Sequence, residues 1–139
     1  MLRDSRRFFR RGEKGQDIVE FALILPILLL LIMGIVDFGR AYNTWMMVTH
    51  GAREGARYAA VGYSNSEIED RIRETTPNLT VAVSISPGDR TGYQSGEPVT
   101  VGVTTEFELI TGIIAEFFTE NPFPLSSTAE MRYEGPKIP

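Results

Sequence analysis

The chain has no cysteine and only one histidine and one tryptophan in 139 residues. Without cysteine there is no disulfide framework, no thiolate zinc site and no cysteine nucleophile, and a length below about 150 residues makes one folded domain the default. The lone His50 falls on an expected helix with no Asp or Glu at i−4, i−3 or i+3, and Glu54 at i+4 has arginines as better partners. A Ser-His-Asp arrangement and an H-E-x-x-H zinc motif are both missing. No enzymatic activity, cofactor, metal or small-molecule substrate is therefore expected. Asp89 and Glu97 lie in a glycine-rich stretch that could in principle hold calcium, but two carboxylates in such a loop are ordinarily just solvated. Asn78-Leu79-Thr80 matches a glycosylation sequon, a pattern frequent by chance.

Charge is also unevenly spread. The formal net charge is −4, yet residues 1–14 hold six basic residues (Arg3, Arg6, Arg7, Arg10, Arg11, Lys14) against Asp4 and Glu13, so that segment carries +4 and the remainder −8. Residues 18–36 follow as a run of nineteen, IVEFALILPILLLLIMGIV, in which Glu20 is the sole charge. As a helix this run is about 28 Å long, close to the roughly 30 Å of a bilayer hydrocarbon core. A fully buried helix in a soluble protein would need more chain around it than is present here. The basic cluster before the run predicts a cytoplasmic N-terminus, with everything beyond Asp37 outside. That position against a span accounts for the leader's charge without nucleic acid. The run is too long for a secretory signal core, and Asp37, Phe38, Gly39 and Arg40 after it offer no A-x-A cleavage pattern, so it reads as a retained anchor.

Gly15 ends the basic leader, and Gln16, Asp17, Ile18, Val19, Glu20 and Phe21 lead directly into the apolar run. This order resembles a class III signal peptide, the kind cut by prepilin peptidases between the glycine (Gly15) and the next residue (Gln16), with a glutamate five residues after the cut. Glycine at the cut suits a backbone that enters a protease cleft as an extended strand. Glu20 in the first turn of a membrane helix is costly unless paired, and its natural partner is the new α-amino group of Gln16 in the same or a neighbouring subunit; snorkelling to the membrane edge is the plainer alternative. Here Gln16 and the charged Asp17 stand where the pattern commonly has an aromatic or aliphatic residue.

Further motifs sharpen the resemblance: Leu25-Pro26 within the span, D-F-G-R-A from Asp37 to Ala41, and A-R-E-G-A-R-Y-A-A from Ala52 to Ala60. Together they are similar to the TadE-like family, pseudopilins of tight-adherence (Flp) type IV pilus systems. The resemblance implies a pilin-like protein matured by prepilin peptidase that assists pilus assembly and meets other pilin-like subunits and the lipid bilayer. A single-pass envelope binding or adhesion protein that is never processed is the alternative from another class.

The expected fold is α+β and pilin-like: a long N-terminal helix packed on a small antiparallel sheet of three to four strands. Its parts are a basic leader (1–15), a transmembrane helix (16–36), an extension of that helix (37–62) and an external α+β domain (63–139). No proline occurs between Asp37 and Val61, so one helix from about Val19 to Val61 is expected despite its glycines, with Pro26 inside it and Asp37 paired with Arg40 three residues on. Gly51, Gly55 and Ala59 form one small-residue row, and Ala52, Ala56 and Ala60 form the adjacent one. Such rows admit close packing, either of a neighbouring pilin-like helix or of the chain's own sheet. Arg53, Glu54 and Arg57 read as a solvated face. A short helix at about 67–75, capped from 64–66, is followed by strands at 79–86, 98–109 and 125–134, each alternating apolar with polar or small residues, and by a hairpin loop at 87–97. Residues 110–124 carry Ile113, Ile114, Phe117, Phe118 and Phe123. That apolar load reads as a short amphipathic helix completing the core or, alternatively, as a docking patch for a pilus partner or the membrane surface.

Overall fold

One helix is the spine of the structure. A computed structural model describes residues 10–89, 92–116 and 122–135. Helix α1 runs Arg10–Ala60 without interruption, about 76 Å at 1.5 Å per residue. It begins nine residues before the expected start near Val19, because nothing in the leader up to Gly15 forbids helix, and it passes through Pro26. Helix α2 is Asn65–Thr75, strands β1 and β2 are Val81–Ser86 and Pro98–Phe107, a four-residue α3 spans Gly112–Ala115, and β3 is Phe123–Arg132. The strands form an antiparallel meander, β1-β2-β3, with Val83 opposite Val103 and Val103 opposite Ser127. The sheet thus has three strands, its last beginning two residues earlier than the alternation indicated. Of the expected helix within 110–124, only α3 is described; Phe117 and Phe118 lie outside the described residues.

Sheet alternation sets which side chains meet α1. Val99, Val101, Val103 and Phe107 of the central strand are buried, while Val81, Val83, Ile85, Ala129 and Met131 of its neighbours are partly covered. They close on Val48, Ala52, Ala56 and Ala59 of α1, on Ile68 and Ile72 of α2, and on Tyr133 just past β3. Each buried Val or Ile contributes about 1.5–3 kcal/mol of transfer free energy. The remaining face of β3 exposes Ser126, Thr128, Glu130 and Arg132 to solvent, which makes this a one-sided antiparallel sheet.

The turn from α1 into α2 follows from two local signals. Gly62 has φ of +88°; its N–H donates to the carbonyl of Ala59 at 3.2 Å and that of Tyr63 to Tyr58 at 3.3 Å. This is a Schellman ending, in which glycine takes the left-handed position and an apolar contact spans the turn. The Tyr58 and Tyr63 rings, 4.7 Å apart, supply that contact. Two residues on, Ser64 opens α2 with a capping box: its hydroxyl accepts from the Glu67 N–H while its own N–H donates to the Glu67 carboxylate at 2.9 Å. The chain after β3 then returns to the end of α1, where the N–H groups of Glu134 and Gly135 donate to the Ala60 carbonyl at 2.7 and 2.9 Å.

Candidate functional site

Among the described residues, nothing packs over residues 15–33 of α1, all of which are exposed. Ile18, Leu23, Ile27, Leu31 and Ile35 are all more than half exposed, and none of the most apolar 18-residue stretch of Gly15–Ala60 is buried. This is one helix long and apolar enough to cross a membrane. A water-facing surface of this size costs about 25 cal/mol per Å², so the helix calls for an apolar surrounding that its own domain does not provide.

Gly15 and Gln16 lie inside α1, so the peptide bond between them is helical and not the extended strand expected for a protease substrate. Among the described residues, no heavy atom outside the helix's own backbone lies within 4 Å of where a Cβ on Gly15 would sit. Packing therefore gives no reason for glycine there, although glycine disfavours a helix by up to about 1 kcal/mol. Glu20 is exposed, one turn after Gln16 on the same face, and has no hydrogen bond or ion pair with the described residues.

The small-residue rows have a definite occupant. Ala52, Ala56 and Ala59 lie fully buried in the core with the sheet, and Gly51 and Gly55 face α2. A Cβ on Gly51 would stand 3.0 Å from Cγ2 of Thr76, and one on Gly55 would stand 2.7 Å from Cδ1 of Ile72 and 3.0 Å from Cγ1 of Val101. The rows therefore pack against this chain's own α2 and sheet. Glu54, expected on a solvated face, instead joins the two helices: its carboxylate accepts from Arg71 at 3.1 Å and is only 25% exposed. Arg71 also pairs with Glu74 at 2.9 Å and lies over the Tyr58 ring.

The point where α1 leaves the apolar stretch is more organised than its sequence indicates. Asp37 is 2% exposed although it follows directly on the run. Its Oδ2 accepts from the Thr111 N–H at 2.9 Å, and its Oδ1 accepts from the Ile110 N–H at 3.2 Å and from Arg40 at 3.1 Å. Arg40 lies over the Phe107 ring, 5.1 Å from its centroid, and Phe107 in turn packs edge-on against Phe123. Three donors on one carboxylate clasp the β2–β3 connection to the helix. The Thr111 N–H, then Ile110 and Arg40, hold the Asp37 carboxyl below its ordinary value of 3.8. The pairing of Asp37 with Arg40 was expected from spacing; the two backbone donors, more than 70 residues away, were not. Sequence spacing could have shown a second feature: Phe38, Tyr42 and Trp45, at i, i+4 and i+7, form an exposed aromatic stripe with ring centroids 6.5 and 6.0 Å apart.

His50 is exposed, and no group of three or more His, Asp or Glu able to hold a metal ion occurs among the described residues. Among the described residues, one shallow depression lined by Asn78, Thr80, Thr105, Glu106 and Glu108 and another lined by Arg57, Tyr58, Val61 and Tyr63 bring together no acid and base in a reactive arrangement.

A family model described as TadE-like protein matches residues 15–57. Over these residues the chain is similar to the TadE-like family. The match covers the bare apolar helix, the Asp37 clasp and both glycines of the α2 seat, and ends just before the Schellman turn. This similarity points to a protein related to tight-adherence pili, and the apolar helix has the length and composition of a single membrane span. No curated protein and no solved structure shows a significant match to the chain.

Proposed function

We propose that this TadE-like chain is a pseudopilin: a structural or assembly component of a tight-adherence type IV pilus, held in the cytoplasmic membrane by residues 16–36. The observation that carries the reading is the division of one continuous helix. Its first half is apolar and bare, while its second half is sealed by a domain built around the small-residue rows. A soluble protein has no use for the first half, and a simple tail anchor has no use for the second. The basic leader supports an inside N-terminus and an external domain.

Prepilin peptidase cuts between Gly15 and Gln16 in this account. Because that bond is helical in the full chain, the turn around it opens before cleavage, and glycine lowers the cost of opening. The bare surroundings of Gly15 support a requirement imposed from outside the fold. Cleavage leaves a charged amine on Gln16, one turn before Glu20. The carboxylate then pairs with that amine or with its equivalent on another pilin-like subunit, which removes an unpaired charge from the membrane.

The test is maturation in the native host. Gly15→Ala is expected to stop the mobility shift that accompanies leader loss and to impair pili, whereas Glu20→Ala is expected to leave cleavage intact and impair assembly. A Gly15→Ala protein that matures and supports pili would favour the unprocessed envelope-protein reading instead.

A further inference from the structure

The β2–β3 connection is held at a height set by Asp37. Asp37 is the first residue beyond the apolar run, and its carboxylate binds the N–H groups of Ile110 and Thr111 directly. A bilayer's headgroup layers add about 5–8 Å on each side of the roughly 30 Å core. A loop fastened within hydrogen-bond distance of the first residue past that core lies inside this layer. Ile110 in this loop is 59% exposed beside the exposed Glu108, and Phe38, which follows Asp37 in α1, is 74% exposed. Arg40 is partly exposed and reaches the Glu108 carbonyl at 3.5 Å, which puts a cation beside the same loop. Apolar side chains flanked by an arginine and followed by the Tyr42–Trp45 aromatic pair match what an interface between lipid and water selects.

We propose that the start of the β2–β3 connection, residues 108–111, is a second membrane contact, in which the Asp37 clasp lays Ile110 on the lipid headgroups beside the exit of α1. The occupant is the bilayer surface, because the loop is fastened to Asp37, the residue at the rim of the apolar run. Two contacts, one through the core and one on the surface, restrain the tilt of the external domain about its stalk. The inference rests on the reading that residues 18–36 cross the bilayer.

The cysteine-free sequence makes the test direct. The full chain, reconstituted in phosphatidylethanolamine–phosphatidylglycerol vesicles, is spin-labelled singly at Ile110→Cys, at Ile27→Cys in the span or at Ser126→Cys on the exposed sheet face. Collision with lipid-soluble oxygen and with a water-soluble nickel chelate is measured at each. The oxygen-to-nickel ratio at Ile110 is expected to be several-fold above that at Ser126 and below that at Ile27. Asp37→Asn is expected to bring the Ile110 ratio down to that of Ser126 while leaving Ser126 unchanged. If Ile110 reads as Ser126 while Ile27 reads as lipid, the surface contact is overturned and the span stands. If Ile27 also reads as aqueous, both fall. Low access to both reagents at Ile110 would show a protein cover, such as a second copy, and would likewise overturn the proposal.

Discussion

Replacing Gly55 by alanine tests whether α2 is seated on α1. On an exposed helix this change stabilises by about 1 kcal/mol, because glycine has more backbone freedom to lose. Gly39 is such a place, with no heavy atom within 4 Å of where an added Cβ would stand. At Gly55 the added methyl would stand 2.7 Å from Cδ1 and 3.0 Å from Cγ1 of Ile72, and 3.0 Å from Cγ1 of Val101. Favourable carbon contacts begin near 3.5 Å. The Cδ1 can swing aside, but Cγ1 and the Val101 methyl move only if α2 or β2 moves, and overpacking of this kind costs about 1–3 kcal/mol. Set against the gain of about 1 kcal/mol in helix propensity, Gly55→Ala should destabilise by about 1 kcal/mol. The midpoint should then fall by about 4–8 °C for a domain of this size. Thermal unfolding of the full chain in detergent, followed by tyrosine near-ultraviolet circular dichroism, measures it. Ile72→Val, which removes Cδ1 and alone costs about 0.5–1.5 kcal/mol, should cost less on the Gly55→Ala background. If Gly55→Ala raises the midpoint as Gly39→Ala does, and Ile72→Val adds independently, the seat is wrong and a neighbouring helix again becomes a candidate occupant of the glycine row.

Ser64→Ala removes the hydroxyl of the α2 capping box and should cost about 1 kcal/mol; an unchanged midpoint in the same melt would contradict the cap. Lowering the pH should undo the Asp37 clasp. Because Thr111, Ile110 and Arg40 hold its carboxyl below 3.8 in the folded state, the clasp's contribution is complete above that value and fades as pH falls through the lower folded-state value. Glu67, held below its ordinary 4.5 by Ser64, has the same sign. In an NMR titration the Thr111 amide should therefore shift with a midpoint below 3.8; a midpoint at or above it would show that the amide does not donate to an ionised Asp37.

Periodicity and punctuation carried much of this fold into the sequence. The alternation of Val99, Val101 and Val103 marked the central strand and its inward face, the Ser64 cap and Pro77 bracketed α2, and the length of the apolar run marked the bare half of α1. Those signals are local, and local hydrogen bonding and burial determine them. The small-residue rows were equally visible, but spacing says only that something comes close, and two occupants remained open until Ile72 and Val101 were found over Gly55. Asp37 was harder still. Its i+3 arginine is a helix-surface signal, whereas its main partners are backbone N–H groups of Ile110 and Thr111, which leave no trace in residue identity. Glu54 misled for a similar reason, since Arg71 reaches it from another helix. The start of α1 also differed: the helix was expected from about Val19, yet it begins at Arg10, because an isolated glycine lowers helix stability by only about 1 kcal/mol and does not stop a helix.

The central claim, that this TadE-like chain is a pseudopilin retaining its apolar helix while losing its leader, is tested most directly by intact-mass measurement of the protein extracted from native membranes. The expected result is a single chain starting at Gln16, with residues 1–15 gone and the span of residues 18–36 still attached. A protein that still carries Arg3 to Lys14, or one cut beyond the apolar run, would contradict it.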